Sequence, residues 1–210
     1  AGWRAQHAGN VVIRWEPGAE TGSAGFNFLD EVRLGTSYEV ADAQNIAQML
    51  CDPEGRGLAD HWQKTSFALL TGLILHVLYL RRAEGRTASL ADVAYALSDP
   101  SRQSEELWAE MVGNRHLRTG PHSVVAAAGR DMLDREGRER SSVLSSAKTY
   151  LVLFQDPLVA KNTGHSDFRI LDLMNHDAPV SLYVVVRGDD KERLRPLVRL
   201  ILATATRKLM

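Results

Sequence analysis

Apolar positions along the chain follow two different periods. Asn10 to Trp15 (NVVIRW) is β-rich and stops at Pro17 and Gly18, which predicts one strand and then a loop through the Gly- and Ser-containing stretch up to Gly25. From Tyr38 to Thr163 the spacing becomes helical, and helices are predicted over Tyr38–Leu50, Asp60–Arg82, Ser89–Leu97, Ser104–Val112, Ser123–Leu133 and Ser141–Phe154. Ser37, Asp60, Ser89 and Ser104 supply oxygens at or just before four of these starts and are the expected caps. Strand chemistry returns over Val180–Val186. A turn at Gly188 then opens a last helix from Asp190 to Met210, with Asp189 and Asp190 placed to cap it. Strand, many helices, strand, helix is a mainly α pattern, and it suggests a helical block inserted in an α/β domain. No internal repeat or low-complexity segment interrupts it.

The most apolar stretch, SFALLTGLILHVLYL from Ser66 to Leu80, is shorter than the roughly 20 residues that span a bilayer, and Ser66, Thr71 and His76 break it. Trp62, Leu69, Leu73 and Val77 share one helical stripe while the opposite side is almost as apolar. Such a helix is expected at the centre of a bundle, with no membrane segment, and His76 within it as a hydrogen-bonded core histidine.

At 210 residues and 44% hydrophobic, the chain can build one sizeable core, or a core and part of a second. Its 25 Lys/Arg against 26 Asp/Glu give no global attraction to nucleic acid or acidic lipid, so such contacts must be local. The single cysteine, Cys51, excludes an internal disulfide or a multi-cysteine zinc site and suits a reducing compartment. No secretory-signal pattern is recognised.

The strand–Gly188–helix order invites a nucleotide-binding reading. A Walker A loop needs a lysine directly after glycine, so that backbone N–H groups and the ammonium share the phosphates; Lys64, Lys148, Lys161, Lys191 and Lys208 all lack that neighbour. FNFLDE (Phe26–Glu31) imitates a Walker B, but Asn27 breaks its apolar run and a docking loop is the plainer reading. Asp189 and Asp190 set negative charge where a phosphate would sit. ETGSAG around Ser23 lacks the spacing of a nucleophile elbow. His165, Asp167 and His176 straddle a loop and a short helix without a recognised metal-ligand spacing. No catalytic, cofactor or metal residue is assigned.

Longer segments carry a resemblance. EVRLGTSYEVADAQNIAQMLCDPEG, DHWQKTSFALLTGLILHVLY, ERSSVLSSAKTYLVLFQDPLVAKNT and DFRILDLMNHDAPVSLYVVV, with DKERLRPLVRLIL after it, resemble the TraG-type coupling proteins of bacterial conjugation and type IV secretion, collinearly over nearly the whole chain. The resemblance implies a hexameric ATPase of RecA-like fold, anchored in the bacterial inner membrane and working on its cytoplasmic side. It implies ATP and Mg²⁺ for the parent protein, none in this segment, and coupling of relaxase-bound DNA to the secretion channel. On that basis residues 1–34 are an N-terminal edge of the nucleotide-binding domain, 35–163 an all-α domain inserted in it, and 164–210 the returning strand and helix. The membrane helices, Walker A, Walker B and the rest of the motor are expected elsewhere in the parent, which leaves this segment without ATPase activity of its own. Arg187 and Gly188 depart from the proline-rich turn frequent in the family.

Three roles are open to the helical block. It could receive protein substrates, a relaxase or an accessory protein, on helices and loops around Ser98 to Thr119. Trp108 would then be an interface anchor, although SEELWAEMV also suits a core residue. It could contact single-stranded DNA through Arg138, Arg140 and Lys148, with Ser141, Ser142, Ser145 and Ser146 offering hydroxyls to phosphates, although Glu136 and Glu139 are ready partners for the arginines. It could also be a rigid spacer between subunits. Charge favours protein: residues 35–163 hold 14 Lys/Arg against 16 Asp/Glu, and 164–210 hold 8 against 6.

Overall fold

The computed structural model describes residues 2–210. In chain order the elements are α1 (Gly2–His7), β1 (Val11–Trp15), α2 (Glu39–Cys51), α3 (His61–Ala83), α4 (Leu90–Ser98), α5 (Ser104–Gly113), α6 (Ser123–Asp134), α7 (Gly137–Leu151), α8 (Pro157–Thr163), α9 (Asp172–Asn175), β2 (Val180–Val184) and α10 (Lys191–Leu209), with short 3₁₀ turns at Phe28–Glu31, Val152–Gln155 and Gly188–Asp190. β1 and β2 pair in parallel, from Val11 opposite Val180 to Trp15 opposite Val184. A parallel pair needs a long crossover, and here the crossover is the whole helical block.

α3 is the axis of that block. Ser66 and every residue from Leu69 to Tyr79 are buried, so the helix is sealed on all sides by α2, α4, α6 and α7. It is also the one helix among the described residues long and apolar enough to cross a membrane, and about two thirds of its apolar window is buried inside the bundle. Close approach is secured by glycine: a Cβ at Gly72 would lie 2.4 Å from that of Ala128, and one at Gly129 would lie 2.8 Å from the Trp108 carbonyl. One continuous hydrophobic cluster runs from Trp15 through the bundle to Ile201.

The predicted helices are present with shifted ends. Asp60 caps α3 and Ser89 caps α4, each in a capping box, with Gln63 and Asp92 answering. Ser37 and Ser104 do not cap. Tyr38 precedes α2 in helical conformation, and Gln103 precedes α5 without a side-chain bond. Nor do Asp189 and Asp190 cap α10, since they pair with Arg187 and Arg193 instead. α7 begins at Gly137, four residues before the expected Ser141, because its first turn, GRER, is charged and shows no apolar period. The Asp156-Pro157 step, read as a break, starts α8: Asp156 accepts the N–H groups of Leu158 and Val159.

The loop after β1 and the end of α8, with the segment that follows it, are clamped together beside the bundle. Gly25 donates its N–H to Asp167 Oδ2 (2.7 Å) and accepts that of Asp167 (3.0 Å). The Asn162 amide donates to the carbonyls of Pro17 (3.0 Å) and Ala19 (2.8 Å), and Phe26 stacks on Phe168 at 5.1 Å. Each of these bonds joins residues more than a hundred positions apart.

Candidate functional site

The three basic candidates on α7 do not form one strip. Arg140 faces inward: its Nη2 donates to the carbonyls of Leu133 (3.1 Å) and Arg135 (2.9 Å) at the end of α6, and its Nη1 pairs with Glu105 at 2.8 Å. It closes a helix C-terminus, and its partner is Glu105 where Glu136 or Glu139 was expected. Arg138 faces outward and makes no side-chain hydrogen bond or ion pair among the described residues. Lys148 lies on another side of α7, in a cavity shared with Arg102 and Trp108.

Arg138 lines an open groove with Trp62, Ser141, Ser142, Ser145 and Ser146, and none of these residues is acidic. The hydroxyls of Ser141 and Ser142 donate back to the carbonyls of Gly137 and Arg138, whereas those of Ser145 and Ser146 keep no partner among the described residues. Trp62, expected on the buried stripe with Leu69 and Leu73, is 40% exposed. It sits in the first turn of α3, partly covered by α7, with His61 edge-on at 5.2 Å. Its exposure has no local sequence signal.

Trp108 is 0% exposed and packed under α6, so it presents no surface to a partner; the small amphipathic α5 turns it into the core. A chain of three histidines links the neighbouring helices, with His76 and His122 buried and His116 half-buried. The backbone N–H of His122 donates to His116 Nδ1 (3.3 Å), which puts the His116 proton on Nε2, 2.8 Å from His76 Nδ1. His76 therefore carries its proton on Nε2, 3.7 Å from Glu110. His122 accepts the Val124 N–H at Nδ1 and donates from Nε2 to Glu39, whose other oxygen accepts the Tyr79 hydroxyl at 2.7 Å. Burial, with His76 and His122 nearby, pushes the His116 imidazole down to about 4. Burial and the Glu39 carboxylate push the Tyr79 phenol up to about 12. The network ties α2, α3, α5 and α6 together, with His76 hydrogen-bonded in the core as the sequence suggested.

The remaining motif candidates serve the clamp. In FNFLDE, Asp30 accepts the Ser166 hydroxyl (2.7 Å), and Glu31 accepts the Ile170 N–H (3.2 Å) beside Arg169 and Lys208. The segment is a docking turn, not a strand end. Ser23 accepts the Glu16 N–H. His165 covers Gly25 and approaches Asp167 at 3.5 Å, while His176 turns to the Ala178 N–H. Among the described residues no His, Cys, Asp or Glu cluster could hold a metal.

The type IV secretory system conjugative DNA transfer family matches residues 1–209. Two conjugal transfer proteins TraG from Escherichia coli are 54% and 52% identical to this chain over 209 residues. The chain belongs to the conjugative DNA transfer family.

It spans about a third of the length of those curated relatives, 100% of its own residues matching 33% of theirs. Solved structures of the bacterial conjugative coupling protein TrwB share the fold. An unbound form, TrwBΔN70, has a TM-score of 0.61 at 17% identity, covering 92% of this chain and 39% of that one. A form in complex with ADP and Mg²⁺ has a TM-score of 0.58 at 17% identity, covering 97% and 47%. The fold of this family member is therefore that of a coupling protein: a helical insertion between edge strands of a partial RecA-like domain. Within it, the outward groove of Trp62 and Arg138 keeps a guanidinium and the hydroxyls of Ser145 and Ser146 without a partner among the described residues.

Proposed function

We propose that this chain is the substrate-recognition domain, with adjoining edges of the nucleotide-binding domain, of a conjugative coupling protein that links relaxase-bound DNA or protein substrates to the type IV secretion channel. The observation that carries this reading is a 54% identical TraG match along the whole chain, on a helical block closed between two parallel strands. The partition into 1–34, 35–163 and 164–210 is part of the proposal. So is the parent: a homohexamer anchored in the bacterial inner membrane, facing the cytoplasm and using ATP with Mg²⁺, a use supported by the ADP- and Mg²⁺-bound TrwB. Protein is the favoured substrate contact, because the acidic residues of the block outnumber its basic ones. The test is to exchange residues 35–163 of the full-length protein for the matching block of a coupling protein that serves another plasmid. Relaxase capture and mating should follow the exchanged block; if both follow the rest of the protein, the reading fails.

A second reading, direct contact with single-stranded DNA, draws on the Trp62–Arg138 groove. An exposed indole offers a base a stacking surface, and an unpaired guanidinium beside the free hydroxyls of Ser145 and Ser146 offers a phosphate its donors. Arg140 takes no part, being held by α6. Trp62→Ala with Arg138→Ala should then weaken single-stranded DNA binding by the full-length protein several-fold, without affecting capture of the relaxase.

A further inference from the structure

The segment Asn114 to His122 joins α5 to α6. Its tip is closed on itself: Leu117 donates its N–H to the Gly120 carbonyl at 2.9 Å and accepts the Gly120 N–H at 3.1 Å, with Arg118 and Thr119 exposed between them. No residue from Gly113 to Pro121 is fully buried, so apolar burial does little to pin the turn. Polar bonds to the core hold it instead.

Those bonds run through imidazole rings, and each uses a ring nitrogen as acceptor, which a neutral ring has and a protonated one lacks. His116 spends Nδ1 on the His122 backbone N–H (3.3 Å) and its Nε2 proton on His76 Nδ1 (2.8 Å). His122 spends Nδ1 on the Val124 N–H (3.2 Å) at the start of α6. A proton added to any of the three rings therefore sets two donors against each other and breaks a link.

The groups around His116 are few. α3 brings His76 and Tyr79, with ring centroids at 5.1 and 6.0 Å, and α5 brings Glu110. His122 stands before α6 with Glu39 of α2 behind it, and the turn itself carries Arg115 and Arg118. Glu110 draws a proton toward His116, but Arg102 already donates to it at 2.7 Å. Glu39 is taken up by His122, the Tyr79 hydroxyl and the Gly35 N–H. Burial and the two neighbouring imidazoles outweigh Glu110 and lower His116 to about 4.

We infer that the α5–α6 turn is a proton-operated latch: neutral imidazoles hold it to α3, and protonation of His116 frees it while α3 stays folded. A freed ring returns to an ordinary value near 6.5 and binds a proton more readily than the latched ring. The latched state is thus fully favoured above about pH 6.5 and is lost progressively as the pH falls toward 4. α3 does not follow, because it is buried by apolar contact with α2, α4, α6 and α7. The turn closes the stretch around Ser98 to Thr119 where protein substrates are expected, so its release reshapes that surface. The latch itself is independent of what the block receives.

The test is hydrogen exchange of the full-length protein, followed by mass spectrometry at pH 7.5 and pH 5.5 and corrected for the intrinsic pH dependence of amide exchange. Protection over residues 114–122 should fall by about threefold or more at the lower pH, with protection over Leu69–Tyr79 unchanged. In His116→Gln, which keeps a donor and an acceptor but does not titrate, the pH dependence of the turn should vanish. Equal protection of the turn at both pH values would overturn the inference. A loss shared by the turn and α3 would also overturn it, since acid would then be unfolding the block as a whole. So would a pH dependence that persists in His116→Gln; should that variant not fold, the wild-type comparison of turn with α3 decides alone.

Discussion

Inside and outside the helical block, the same residue types meet opposite fates. Arg140 is locked to two carbonyls and a carboxylate, while Arg138, two positions earlier on α7, touches no partner among the described residues. Trp108 is sealed at 0% exposure on α5, and Trp62, in the first turn of α3, is 40% exposed. Arg140 on the inner side holds α7 to α6, whereas Arg138 on the outer side is left to solvent. Substitutions on the outer side should therefore leave the inner side folded.

The largest expected break is at Leu75, 0% exposed on α3. Leu75→Asp places an unpaired charge in the core at a cost of several kcal/mol, comparable with the roughly 5–15 kcal/mol that holds a domain together. The variant should be insoluble or unfolded by circular dichroism, and an unchanged melting temperature would show that α3 is not central.

Acid should act next, through the histidine chain. His116 has its folded-state value lowered to about 4, from 6.5, by burial and by His76 and His122. The unfolded chain then binds more protons than the folded one between these values. Stability is complete above about pH 6.5 and falls as the pH drops toward 4, by less than the full shift implies because solvent screens the half-buried imidazole. Denaturant midpoints at pH 7 and pH 5 measure this, and His116→Gln should reduce the difference.

The paired and unpaired arginines should then separate. Arg140→Ala strips the end of α6 of its donor and should lower stability by about 1–3 kcal/mol. Arg138→Ala should change it by less than about 0.5 kcal/mol, as for an unattached surface side chain. Equal losses in thermal melts would erase the distinction between the two faces.

What was legible in the sequence was what depends on neighbours in the chain. The capping boxes of Asp60 with Gln63 and Ser89 with Asp92 span three residues, and the all-round apolar run of α3 announces its burial. Ser104 failed as a cap although its chemistry fits, because the chain turns into α5 one residue earlier. Arg140 was paired in expectation with its neighbours Glu136 and Glu139, and its actual acid, Glu105, is 35 residues away. Only the packing of α6 brings that carboxylate near. Trp62 was assigned to the core by periodicity, which cannot tell where along a helix the bundle stops covering it. The cavity of Lys148 was unreadable for a similar reason: its walls come from α4, α5 and α7.

The central claim, that the block recognises protein and leaves DNA to a narrow outer groove, is tested most directly by two titrations of the full-length protein. One uses relaxase and the other single-stranded DNA, each at low and high salt, on the wild type and on Arg138→Ala. DNA affinity built on few unopposed cations should be weak, fall steeply with salt and drop further in Arg138→Ala, whereas relaxase binding should persist in high salt and be indifferent to that substitution. Tight DNA binding abolished by Arg138→Ala, with no relaxase binding at either salt, would contradict the account.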